Sequence, residues 1–77
     1  MTKIMTKNER IGRRIKVRRA LLDISQADLA QRAGIAQSYV SMIEAGERPL
    51  TAAVLNRIAK VLECKPEDLL NERRKIA

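Results

Sequence analysis

Apolar residues recur every three or four positions between about residues 8 and 70, in short blocks set apart by Gly, Pro, Ser, Thr and Asp. An α-helix turns once in about 3.6 residues, so this spacing gathers such residues on one helical face. The pattern predicts five helices and no strands. The first is expected to start at Asn8 as N-cap, with Glu9 in its first turn, and to run to about Leu22, burying Ile11, Ile15 and Leu22. Ser25 is read as the cap of the second, with Asp28 three residues on making a capping box. Leu29, Ala30 and Ala33 form its stripe until Gly34 stops it. Val40 and Ile43 open a third stripe within a turn of that glycine, which leaves room only for a tight connection. Ala45-Gly46 ends the third helix, and residues 47–50 form a loop. Thr51 caps a fourth helix, whose buried stripe is Val54, Leu55, Ile58, Ala59 and Leu62. Pro66 suits the first turn of a short fifth helix, with Glu67 and Asp68 favourable against its dipole.

The stretch from Ser25 to Glu44 organises the rest. Helices so short share little area side by side, so they must cross steeply and closely, with a small residue such as Ala30 at the contact. That is a helix-turn-helix. Gln26, Ala30, Gly34, Ile35, Val40 and Ile43 fall where the phage repressor/Cro-type (XRE) helix-turn-helix family has its pattern. The text ISQADLAQRAGIAQSYVSMIEAGERPLT resembles that family almost position by position. The resemblance extends over about residues 11–70 and takes in Glu44-x-Gly46-x-Arg48 and Asp68-Leu69-Leu70. It implies an all-α, compact five-helix bundle of the lambda-repressor-like DNA-binding type. Within the family, the small size looks like a phage repressor or a restriction–modification controller protein, and the segment SYVSMIEAGERPLT resembles the controller type more.

On a helical wheel, Val40 and Ile43 point inward, and Ser38, Ser41, Met42 and Ala45 point the opposite way. Gln37 and Tyr39 lie on the flanks. In a helix-turn-helix the outward face of the second helix enters the major groove. Gln37 suits a bidentate contact to adenine, Ser38 and Ser41 either base edge, and Met42 a thymine methyl. Tyr39 has two open readings, a DNA-facing flank or partial core. The resemblance adds three roles. Gln26 is expected to reach the DNA backbone and support Gln37. Arg48 matches a position that commonly contacts DNA. Arg19 matches an arginine that pairs with the glutamate closing the recognition helix, here Glu44, as a structural ion pair.

Composition narrows the alternatives. Seventy-seven residues make one small domain with a net charge of +7, which favours a polyanionic partner. Six of the ten residues at 10–19 are basic. They read either as a solvated face or as a set bringing Arg13, Arg14 or Arg18 near phosphates. A single cysteine precludes an internal disulfide, and without histidine a zinc site lacks ligands. Cys64 is expected to be a buried hydrophobe rather than a reactive thiol. No apolar run approaches the roughly 18 residues of a membrane span, and no signal-peptide pattern opens the chain. A cytoplasmic protein is expected, with no cofactor, metal, membrane or small-molecule ligand, and no enzymatic activity. Residues 1–7 are read as a frayed basic tail in which Met5 offers an alternative start. Residues 71–77 are read as a charged tail carrying Ile76.

The expected function is a sequence-specific DNA-binding transcriptional regulator, repressor or activator. It would bind a two-fold symmetric operator as a homodimer through a recognition helix at about residues 37–45. Val61, Leu69 and Leu70 are the expected dimer interface, the rival being that Leu69 or Leu70 closes the chain's own core. The alternative function is an antitoxin-type protein-interaction module on the same fold. A third is a basic domain that binds anionic surfaces without sequence preference.

Overall fold

Thr6, not Asn8, starts the first helix. Its hydroxyl accepts from the Glu9 N–H, and the Glu9 carboxylate accepts from the Thr6 N–H, which makes the reciprocal capping box complete. Asn8 therefore lies within the first turn, and the predicted boundary moves by two residues because Thr6-x-x-Glu9 satisfies two amides where Asn8 satisfies one. The computed structural model describes residues 4–70. Its helices are α1 (Lys7–Leu21), α2 (Gln26–Ala33), α3 (Gln37–Glu44), α4 (Ala52–Val61) and α5 (Pro66–Leu70). The segment expected as a frayed tail is in part folded, since Met5 is half-buried and its carbonyl accepts a 2.7 Å bond from Arg10. The tail expected at 71–77, with Ile76, lies outside the described residues.

Four helices end by one device. Asp23, Gly34, Gly46 and Glu63 are left-handed, with φ of 59°, 73°, 78° and 59°. In each case the next N–H returns to the carbonyl five residues back, from Ile24 to Arg19, Ile35 to Ala30, Glu47 to Met42 and Cys64 to Ala59. This Schellman-type closure satisfies carbonyls that the helix leaves open and turns the chain sharply. Ile24, Ile35 and Cys64 thereby swing back onto the core. Gly34 and Gly46 suit their positions; Asp23 and Glu63 hold a conformation that a β-carbon disfavours.

α3 lies between α1 and α2, while α4 packs on α2 and α5 closes the far end against α1 and α4. Ile15, Leu29, Val40, Ile43, Ile58 and Leu62 are the largest fully buried side chains, and every helix but α5 supplies at least one of them or their immediate flank. Leu69 brings α5 into the same core at 2% exposure. Leu69 is thus a core residue, the rival of the two readings offered for it, because α5 turns Leu69 inward against α1 and α4 and leaves Leu70 outward. Arginines finish the job at that end. Arg14 donates to the Leu69 carbonyl, and Arg18 donates to the carbonyls of Leu62 and Glu63. These carbonyls sit at helix C-termini, where a cation is favoured by the dipole. Of the three arginines offered for phosphate contact, Arg14 and Arg18 are therefore turned to helix ends, and Arg13 stays exposed.

Candidate nucleic-acid interface

The orientation of α3 follows from two contacts at its ends. At the start, Ser25 caps α2 by accepting from the Asp28 N–H, and the Gly34 turn then delivers Ala36 in an extended conformation as the N-cap of α3. Ser25 supplies the hydroxyl arm of the box expected there. Ala36 brings no side-chain acceptor, so the first amides of α3 are left uncapped. At the other end, Gly12 of α1 lies against the backbone of Ile43 and Glu44, and Gly46 lies against Glu9. A β-carbon at either glycine would stand closer to those atoms than real contacts allow. Helices α1 and α3 consequently touch backbone to backbone.

With Val40 and Ile43 buried, the remaining face of α3 presents Gln37, Ser38 and Ser41 to solvent. Met42 and Tyr39 are only half exposed, so both lie at the edges of that face, and Tyr39 packs against the core. No acidic residue stands in the first turn of α3. Arg48, exposed in the loop that follows, sets its guanidinium carbon 5.9 Å from the centroid of the Tyr39 ring. Arg57 of α4 reaches the turn between α2 and α3, its Nη1 standing 3.8 Å from where a Gly34 β-carbon would be. The face is polar, uncapped at its positive end and flanked by cations. Those are the properties that suit base edges and phosphates.

Behind it, Arg19 and Glu44 pair in two parallel bonds, Nε to Oε2 at 2.8 Å and Nη2 to Oε1 at 3.1 Å. The Glu44 side chain is 4% exposed and that of Arg19 16%. Nη1 of Arg19 donates to the Ile24 carbonyl, and the Gln26 amide donates to Glu44 Oε1 at 3.0 Å. The network ties the end of α1, the start of α2 and the end of α3 together. The hydrogen bonding that Arg19 donates to the Glu44 carboxylate raises the Arg19 pKa above its ordinary value, against the opposing effect of burial. The Gln26 amide N–H is thus engaged by the carboxylate of Glu44, which has a lone pair left after Arg19 is served.

Three residues of this arrangement escaped the sequence reading. Gly12 and Thr6 were legible as a small residue beside the apolar stripe of a basic helix and as Thr-x-x-Glu, whereas Arg57 lies on an ordinary charged helix face with no local signal. Cys64, expected to be buried, is half-buried, and desolvation pushes its thiol up despite the nearby Arg18.

Comparison with known proteins agrees with this geometry. The family model described as "Helix-turn-helix" matches residues 15–69. The transcriptional regulator DicA of Escherichia coli is 40% identical over 65 residues, 84% of this chain and 48% of DicA. The restriction–modification controller protein C.AhdI of Aeromonas hydrophila superposes with a TM-score of 0.79 at 29% identity, over 80% of this chain and 94% of C.AhdI. The P22 c2 repressor in complex with a synthetic operator gives 0.77 at 33% identity, over 82% and 96%. The chain spans 41% of the length of two curated relatives from Mycobacterium tuberculosis.

Proposed function

For a chain that belongs to the helix-turn-helix family, as this one does, we propose sequence-specific DNA binding in transcriptional regulation, of the phage-repressor or controller type. The observation that carries it is the exposed, uncapped start of α3, which offers Gln37, Ser38 and Ser41 beside two cations, Arg48 and Arg57. Gln37, Ser38 and Ser41 meet base edges in the major groove, and Met42 reaches a thymine methyl from the edge of the face. Arg48 and the N-terminus of α2 meet phosphates and hold the register.

One recognition helix reads only a few base pairs, so the working unit is a homodimer on two half-sites about one helical turn apart. Leu70, 43% exposed, and the half-buried Val61 mark the two-fold contact. They lie at the α4–α5 end, whereas α3 packs on α1 and α2, so pairing there leaves both recognition helices open. No helix among the described residues is long and apolar enough to cross a membrane, and the protein works where the DNA is, in the cytoplasm.

The test is selection of duplexes from a random library by the protein, followed by competition between the selected and random duplexes. Enrichment of a two-fold symmetric sequence that outcompetes random DNA by 10³-fold or more, roughly the lower edge for specific binders, is expected. Equal competition by both would leave a basic domain without sequence preference.

A further inference from the structure

Tyr39 is the chain's only aromatic residue, and it neither joins the buried stripe of α3 nor stands out with Gln37 and Ser38. Its side chain is half-buried and packs against the core. The guanidinium of Arg48 lies over its ring, the carbon 5.9 Å from the ring centroid. Arg48 makes no hydrogen bond or ion pair among the described residues, which leaves this ring as the contact of its guanidinium.

The placement is costly on its own terms. Tyr39 lies in the first turn of α3, where the helix dipole disfavours a cation, and no acidic residue of that turn offsets it. Arg48 lies on a loop and is exposed, so solvent is open to it as an alternative. Attraction to the ring face opposes that escape and leaves the guanidinium N–H donors unused. An arginine already held in place loses less side-chain freedom when an anion arrives.

We propose that Tyr39 is a positioning residue for Arg48: its ring, braced by the core, holds the guanidinium beside the start of α3 with its donors free for a DNA phosphate. Tyr39 itself reads no base. The proposal rests on the reading that Arg48 meets the DNA backbone, and the test separates the two.

The probe is a random-sequence duplex, since a phosphate contact is independent of sequence. Binding is measured against salt for Tyr39→Phe, which keeps the ring, and Tyr39→Leu, which keeps an apolar group against the core. Both are measured with Arg48 intact and with Arg48→Ala, after melting curves show each variant folded. With Arg48 present, the Leu variant is expected to bind about two- to fivefold more weakly than the Phe variant, the range of an exposed cation–π contact. With Arg48→Ala, that difference vanishes. A Leu–Phe difference of the same size in both backgrounds would overturn the positioning role. Arg48→Ala in the parent is expected to flatten the salt slope by about 0.9. An unchanged slope and affinity for Arg48→Ala would overturn the phosphate contact, and the positioning proposal with it.

Discussion

Gly12 of α1 rests directly on the carbonyl oxygen of Ile43 in α3, so closely that a β-carbon at position 12 would overlap it and stand 2.7 Å from the Glu44 oxygen. The neighbour is backbone and cannot rotate away. Gly12→Ala should therefore lower stability although alanine is the better helix former. Overpacking costs up to about 3 kcal/mol, against about 1 kcal/mol gained in helix propensity. A net loss near 2 kcal/mol in denaturant unfolding is expected, together with weaker DNA binding as α3 shifts. A Gly12→Ala melting temperature equal to or above that of the parent would show that the helices separate freely.

The Arg19–Glu44 pair should behave as structure. Replacing Glu44 with Ala strands a poorly solvated guanidinium and leaves the Gln26 amide without its acceptor, at a cost on the order of 3–5 kcal/mol if the site stays dry. Replacing both partners with Met and Leu should recover much of that loss, since neither charge then remains. Chemical denaturation of the two single variants and the double variant reads the coupling directly. Additive losses would mean that the two side chains act independently.

Glu63 offers a gain. It holds a φ of 59° at the end of α4, with its side chain exposed. Glu63→Gly should raise stability by about 1 kcal/mol, the lower end of the cost of a left-handed non-glycine residue. Asp23→Gly should give less, because aspartate tolerates this region better. A lower denaturation midpoint for Glu63→Gly would contradict the strain assigned there.

At the α4–α5 end two adjacent leucines should part company. Leu69→Glu places a charge in the core and should unfold the chain. Leu70→Glu should leave it folded and, if the two-fold contact lies there, monomeric with weaker operator binding. Circular dichroism together with sedimentation distinguishes them. A folded, dimeric Leu70→Glu would move the interface elsewhere.

Gln37→Ala tests base reading. Loss of a bidentate contact should weaken binding to the selected duplex by about 1–3 kcal/mol and relax preference at one base pair per half-site. Affinity for random duplex should hardly change. Undiminished affinity of Gln37→Ala for the selected duplex would falsify its role.

Local signals carried most of the architecture. Apolar spacing, Ser25, Gly34, Thr51 and Pro66 placed the helices, because periodicity and capping act between residues a turn apart, where sequence distance and spatial distance agree. The inward turn of Val40 and Ile43, and with it the outward turn of Gln37, Ser38 and Ser41, follows from the same period. Asn8 was expected to cap α1, but Thr6 does so, because the glutamate three residues after Thr6 returns a second bond. Contacts across the chain were decided only by tertiary packing. Arg14 and Arg18 lie on a basic face in sequence, but the ends of α4 and α5 arrive beside them and take their donors. Leu69 and Leu70 are alike as residues, yet the angle at which α5 meets α1 and α4 buries one and exposes the other. Gln26 turns to Glu44, and Arg48 stands over Tyr39, because helix crossings bring together groups that local periodicity does not relate.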